Sequence, residues 1–387
     1  MATPKRRQQL VAALRVVVCL GALLLVLRGV DLDDRVELAD GTALAGEVRE
    51  SGGGLVVLSE DGTARPVAYS QLARLDDGTP AIQLGLRTAF RSSRLDLFAL
   101  AVLLFVPVTF MLGWRFQLVL RAGEIRIGYW AAVKLTFAGS FLSFVPFLLG
   151  AYGGDVFKAY FVSLHTERKT EAVTSVFLDR VIGLLGVIVI VTFAAAISPR
   201  GIVRVFLWPM LLLLALGAAA AALYLWPALR ARLPLHWLDR LPRIDQLRRV
   251  DRTARRLAMH KSTVALCLVV TVVRQLAAFA SYALVALSLG LSIGVDRLVE
   301  VSGYFAAGVA VGAVPISPQG LGTVELAYSI FFREFGTPSQ ILCLAFGVRL
   351  VHMLSTLPGL GVVVAGAYRP PSIESVRSQL PEHPAPD

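Results

Sequence analysis

The stretch Leu95-Asp96-Leu97-Phe98-Ala99-Leu100-Ala101-Val102-Leu103-Leu104-Phe105-Val106-Pro107-Val108-Thr109-Phe110-Met111-Leu112-Gly113-Trp114 holds one charge, Asp96, in twenty residues. A helix needs ~20 apolar residues to cross the hydrocarbon core of a bilayer. This run supplies them without the polar face that a surface helix of a soluble protein keeps. Further apolar segments lie at 10–27, 129–149, 172–197, 203–226, 263–289, 299–316, 323–332 and 340–366. Across 387 residues, 56% are hydrophobic and 17% charged, and mean hydropathy is +0.68. A soluble domain carries ~25% charged residues. The chain therefore reads as an all-α polytopic membrane protein.

Its net charge of +11 would point to nucleic acid in a soluble protein. Here the Lys and Arg lie between apolar runs, where an anionic inner leaflet explains them, and no nucleic-acid partner is expected. Residues 1–30 form an anchor: Lys5, Arg6 and Arg7 precede the apolar run, which ends in Leu27-Arg28-Gly29-Val30-Asp31 without the small residues of a cleavage site. The N-terminus is then cytoplasmic. Residues 31–92 break the membrane pattern and are net acidic, as suits an extracytoplasmic segment. Alternation at Arg35-Val36-Glu37-Leu38 before Asp40-Gly41, and the run Leu55–Leu58 before Asp61-Gly62, are hairpin signals. Roughly five short strands fit, as in a small SH3-like or Sm-like β domain inserted after the first span.

The connector 228–261 holds ten Lys or Arg against three Asp and belongs on the cytoplasmic side. Four clear spans precede it, at 10–27, 95–114, 172–197 and 203–226, so segment 129–160 crosses twice or not at all. Arg115, Arg121 and Arg126 before it, with Lys158, Arg168 and Lys169 after it, make both ends cytoplasmic. It reads as a broken, re-entrant hairpin. Residues 93–368 then form the membrane domain, and 369–387, with five prolines, a disordered tail. Within the connector, Leu241, Ile244, Leu247, Val250, Ala254 and Leu257 recur at helical spacing among arginines. Residues 237–260 are expected to lie as an amphipathic helix on the anionic inner leaflet, or to be a solvated helix that only enforces topology.

Breaks in the first hairpin fall at Gly139, Pro146 and Gly153. A second set falls at Gly308, Pro315 and Gly322, each 169 residues further on. The same shift takes Phe177 to Phe346 and Arg180 to Arg349. Because the span 203–226 separates the two halves, they meet the membrane with opposite polarity. Paired Gly/Pro-interrupted segments in inverted repeats point to a binding site near the midplane.

Ionisable groups inside spans cost about 2.5–3.5 kcal/mol each at a helix centre, so they need partners or a purpose. The candidates are Asp155, Lys158, Asp179, Arg180, Glu325 and Arg349, with Arg274 and His352 beside them; His352 reads as a packed core histidine. They form either a site for an anionic head group, where the arginine fork matches phosphate, or internal ion pairs such as Arg180 with Asp155 and Arg349 with Glu325 that staple helices. Cys19, Cys267 and Cys343 sit in apolar runs without metal-ligand spacing. With no metal cluster, triad, phosphate loop or dinucleotide fingerprint in the sequence, no cofactor, metal or catalytic residue is expected.

With these residues in view, the chain resembles a flippase-like family built on the transmembrane region of lysylphosphatidylglycerol synthases. The likeness rests on Pro146 with Gly153-Gly154-Asp155-Val156-Phe157-Lys158-Ala159-Tyr160, on Asp179-Arg180-Val181-Ile182-Gly183-Leu184, on Pro315-Ile316-Ser317-Pro318-Gln319-Gly320-Leu321-Gly322-Thr323-Val324-Glu325, and on Val348-Arg349-Leu350. It spans roughly 95–366. The family commonly has Arg where Lys158 stands and Glu where Asp179 stands, and the insert at 31–92 departs from its usual layout. The resemblance implies lipid handling. In bifunctional members this region is associated with moving aminoacylated phospholipid to the outer leaflet, while a separate soluble domain transfers the aminoacyl group. No such domain follows Tyr368 here, so synthase activity is not expected. The leading expectation is a flippase or carrier of phospholipid or polyprenyl-phosphate-linked lipid in the cell (inner) membrane. The alternative is a non-transporting scaffold that docks an envelope or glycosyl-transfer enzyme. An intramembrane transferase ranks third, for want of a nucleophile or base.

Overall fold

A computed structural model describes Leu24, Leu27 and residues 31–51, 54–59, 63–74, 82–143, 153–198, 202–225, 244–314 and 320–364. The N-terminal anchor other than Leu24 and Leu27, the Asp61-Gly62 turn, Pro146, Pro315, connector residues 228–243 and the tail 369–387 lie outside the described residues. In chain order the strands are β1 (Arg35–Glu37), β2 (Ala43–Ala45), β3 (Glu47–Ser51), β4 (Gly54–Leu58), β5 (Ala64–Ala68) and β6 (Ile82–Gln83). The helices are α1 (Leu86–Arg91), α2 (Leu95–Ala122), α3 (Tyr129–Ser143), α4 (Gly153–Leu164), α5 (Lys169–Ile197), α6 (Leu207–Leu225), α7 (Ile244–Met259), α8 (Lys261–Ser288), α9 (Leu298–Ala313), α10 (Thr323–Phe331), α11 (Pro338–Thr356) and α12 (Pro358–Val364).

Among the described residues, five helices are long and apolar enough to cross a membrane: Leu95–Ala122, Lys169–Ile197, Arg204–Leu223, Lys261–Ser288 and Pro338–Thr356. On the third of these, Trp208, Leu212 and Leu216 are all exposed, as a lipid surround allows. The protein is a multi-pass, mostly helical membrane protein with small antiparallel sheets near its N-terminus.

The described residues fall into two compact units, one made of those up to Leu103 with Ala280–Val351, the other of Leu104–Phe279 with those from His352 on. The first unit contains the strands, arranged as two three-stranded antiparallel sheets in the orders β2-β1-β6 and β3-β4-β5. The sequence reading anticipated roughly five strands; the sixth, β6, is two residues long and carries no alternation to betray it. Alternation sets the core of this part: Val36 is buried between exposed Arg35 and Glu37, and packs with Leu55, Val57, Val67 and Leu72. The β1–β2 turn uses Gly41 at φ 83°, with the Asp40 carboxylate accepting the Thr42 N–H at 2.9 Å.

Asp34 is fully buried and accepts hydrogen bonds from Gly85 N at 2.7 Å, Val48 N at 3.0 Å and Thr88 Oγ1 at 3.0 Å, tying β3 and α1 to the start of β1. The same unit anchors this β region to membrane helices. Thr337 Oγ1 donates to Leu84 O and Ser339 Oγ to Asp31 O, each at 3.2 Å, at the start of α11, and Arg94 N donates to Ser288 O at 2.8 Å at the end of α8.

In the second unit, α2 packs on α3, α4 and α5 through Phe116, Leu120, Leu135, Val162 and Val176. A second cluster joins Val119 and Ala122 of α2 to Ile182, Leu257 and Cys267. Leu257 and Thr253 of α7 are thus buried against protein, not lipid, while Val250 is exposed. The apolar stripe expected to face the leaflet is in part an intramolecular packing face.

The helices recur in the same order. From Tyr129 of α3 to Leu298 of α9 is 169 residues, from Gly153 of α4 to Thr323 of α10 is 170, and from Lys169 of α5 to Pro338 of α11 is 169.

Candidate functional site

In the second unit, the site grows from a contact between two glycines. A methyl group at Gly139 of α3 would stand 2.9 Å from Gly154 O and 3.0 Å from Lys158 Cε. The two helices therefore meet backbone to backbone, as small residues allow between membrane helices. The Lys158 side chain runs along this contact, and its Nζ lies 5.3 Å from the centroid of the Phe116 ring, with the residue only 6% exposed. Three residues before it, Asp155 lies in the first turn of α4, where a helix's positive end favours a carboxylate. Asp155 forms an ion pair with Arg180 of α5.

Beside it, Asp179 is fully engaged. Arg115 Nε donates to its Oδ1 at 2.8 Å and Arg115 Nη2 to its Oδ2 at 3.0 Å, while Arg115 Nη1 donates to Thr271 Oγ1 at 3.0 Å. Both side chains are almost completely buried. Gly183, one helical turn after Asp179, leaves room for the guanidinium: a methyl there would stand 3.2 Å from Arg115 Nη1. This corrects the sequence reading of Arg115 as a flanking cytoplasmic charge. Helix α2 continues past Trp114 to Ala122, so Arg115 lies inside the packed bundle. The four-residue step from Asp179 to Gly183 was the one signal that a flat side chain needed space there.

The first unit repeats the device with other chemistry. Glu325, in the first turn of α10 and 1% exposed, accepts the Gly322 N–H at 2.7 Å and Arg349 Nε at 2.7 Å. Gly322 takes φ 81° to present that N–H. A methyl at Gly308 of α9 would stand 3.1 Å from Tyr328 Cζ, and one at Gly312 3.2 Å from Val324 Cγ2. Tyr328 is buried, with ring contacts to Phe305 and Phe332. Gly139 and Gly308, and Arg180 and Arg349, correspond at a shift of 169. The carboxylates Asp155 and Glu325, and the residues that meet the glycines, Lys158 and Tyr328, correspond at 170. The fixed shift that matched Gly153 with Gly322 is therefore one residue short at the second break. Gly153 opens α4, whereas Gly322 precedes α10 as its cap.

The other candidates are placed separately. Arg274, half-buried, donates to the neighbouring Gln275, and His352 packs its ring 4.4 Å from the Phe105 ring. Cys267 and Cys343 are buried free thiols. Taken together, the cluster of the second unit has three cations, the buried Arg115 and Lys158 and the half-buried Arg180, against two carboxylates, Asp155 and Asp179. That of the first unit has one of each, Arg349 and Glu325.

A family model described as the lysylphosphatidylglycerol synthase TM region matches residues 85–359, well over half of the chain. The match begins after β6, so most of the β region lies outside it. No curated protein sequence matches the chain.

Proposed function

Because the chain belongs to the lysylphosphatidylglycerol synthase TM region family, we propose that it carries an anionic lipid, a phospholipid or a polyprenyl-phosphate-linked lipid, between membrane leaflets. The observation that carries this reading is the unbalanced charge around Lys158. Asp155 is held by Arg180 and Asp179 by Arg115, which leaves the buried Lys158 ammonium over an aromatic face. A lipid phosphate would supply the missing negative charge. Asp179 acts here by holding Arg115, and Asp155 by orienting Arg180. Glu325 and Arg349 are the counterpart of that second pair.

Recurrence of the helix order, of the glycine contacts and of the carboxylate–arginine pairs supports two repeats. We read them as inverted, because the span at Arg204–Leu223 intervenes. In that topology both broken hairpins are re-entrant, the N-terminus and the connector 228–261 are cytoplasmic in the inner membrane, and residues 31–92 are extracytoplasmic. The arginines of α7 other than Arg256 face the inner leaflet. The activity is transport, without catalysis.

The test is lipid exchange in proteoliposomes, read by chemical quenching of a head-group-labelled phosphatidylglycerol from outside. Wild-type protein should render the inner-leaflet probe accessible, and Lys158→Met should abolish this while the protein still folds. Undiminished exchange by Lys158→Met would sink the proposal. A scaffold that docks an envelope enzyme is a second reading. It draws on a cavity of about 450 Å³ lined by Asp33, Glu47, Arg87 and Arg91 in the β region, whose mixed charges suit a protein surface. Exchange activity in purified protein alone would count against it.

A further inference from the structure

A second cavity, of about 770 Å³, opens at the junction of α2, α3 and α5, lined by Arg121, Glu124, Arg126, Ile127, Gly128 and Arg168. It shares no residue with the Lys158 cluster. Its single carboxylate, Glu124, is bound by Arg168 from the start of α5 and by Arg256 from α7. The Arg168 guanidinium, hydrogen-bonded to it, and Arg256 beside it hold the Glu124 carboxyl below the usual carboxylate range. Arg121 and Arg126 make no ion pair among the described residues. The cavity wall thus offers two guanidinium forks that no acid among the described residues occupies, next to a third that is occupied by Glu124.

Glu124 is also, among the described residues, the one non-glycine at positive φ, 61°. It closes α2 with its N–H on Arg121 O at 3.0 Å, while Ile125 N reaches Leu120 O at 2.9 Å. Glycine is the usual residue at such a helix end. Holding a glutamate there places its carboxylate where it bridges Arg168 and Arg256.

We propose that this cavity binds a phosphate-bearing small molecule or head group through Arg121 and Arg126, with Glu124 as the internal anion that competes for Arg168. Guanidinium forks match phosphate in two-bond geometry, which a lysine cannot reproduce. The cavity is open to solvent and larger than bare phosphate requires, leaving room for the organic part of a phosphate ester. Two sources share this chemistry: the head group of a phospholipid, and a soluble phosphate ester. The ligand docks by exchange of one anion for another at Arg168, which leaves Arg256 of α7 as the remaining partner of Glu124.

The test uses the full chain in phosphatidylcholine nanodiscs, titrated with glycerol 1-phosphate, with glycerol, and with short-chain phosphatidylglycerol, binding being read by calorimetry. Wild type should bind at least one of the two phosphate probes and not glycerol. Arg121→Ala combined with Arg126→Ala should weaken that binding about tenfold or more, whereas Arg204→Ala with Arg333→Ala, both exposed and remote in sequence from the cavity, should change it little. Arg121→Lys with Arg126→Lys keeps the charge, guards against a folding defect, and should still bind several-fold more weakly. Glu124→Gln should bind more tightly, because its competing charge is gone. Binding of the lipid probe alone assigns the site to a membrane lipid, and binding of both probes assigns it to phosphate esters generally. Equal affinity in wild type and the double alanine variant, or an equal fall in the Arg204/Arg333 control, would overturn the proposal. Weaker binding by Glu124→Gln would remove its competitive part. Lipid exchange through Lys158 could fail or persist independently of each of these results.

Discussion

Two regions of this molecule use one backbone device for different chemistry. In each, a helix carrying a glycine meets a short helix, and a carboxylate in the first turn of that short helix pairs with an arginine on the next long one. Around Gly139 the residue that meets the glycine is Lys158, and the cluster carries a surplus positive charge. Around Gly308 it is Tyr328, which lies among Phe305 and Phe332, and the single pair is balanced. Burial differs as well: Glu325 is closed off, while Asp155 and Arg180 keep about a third of their side chains exposed. A repeated scaffold can therefore be loaded with charge on one side and sealed with aromatic rings on the other.

The largest effect should come from the pair that has no counterpart. Arg115→Ala leaves Asp179 buried with an uncompensated charge, and should destabilise the protein by about 3–5 kcal/mol, measured by unfolding in detergent. Replacing both partners by apolar residues, as in Arg115→Met with Asp179→Leu, should recover most of that loss, because the orphaned charge causes most of the cost. If the double variant is as unstable as the single one, the pair does more than hold helices together.

Next, the two equivalent arginines should separate. Arg349→Gln leaves Glu325 at 1% exposure with only the Gly322 N–H. It should cost about 2–3 kcal/mol, less than a fully enclosed pair because Arg349 is 21% exposed. Arg180→Gln, in a pair partly open to solvent, should cost about 1 kcal/mol or less. Equal losses in a thermal unfolding series would erase the distinction between a sealed and an open half.

The smallest effect on stability, and the most telling for function, belongs to Lys158→Met. Removing a buried surplus charge and keeping the long chain against Gly139 should leave stability unchanged or slightly raised. Tyr328→Phe, the matching change in the other half, should leave both stability and lipid exchange near those of the wild type. Loss of exchange in Tyr328→Phe, with normal exchange in Lys158→Met, would reverse the roles of the two halves.

How much of this was legible in advance depends on the range of the interactions concerned. Spans such as 95–114 and 172–197 follow from apolar length alone, since lipid demands a continuous run and the backbone satisfies its own hydrogen bonds within it. The turn at Asp40-Gly41 and the alternation about Val36 are equally local. The recurrence at 169 residues could be read because glycines mark close approach wherever they occur.

Tertiary structure decided the rest. Whether Arg115 was a flanking charge or a buried partner depended on how far α2 continues and on Asp179, 64 residues away. The one-residue offset that aligns Asp155 with Glu325 emerged only from which side chain meets each glycine. The apolar stripe of α7 proved in part a packing face because α2 and α5 are there to receive Leu257 and Thr253. Sequence by itself determined which segments must leave water, since that preference is additive along the chain. Which charge answers which is a property of pairs, and pairs exist only once helices distant in sequence lie side by side.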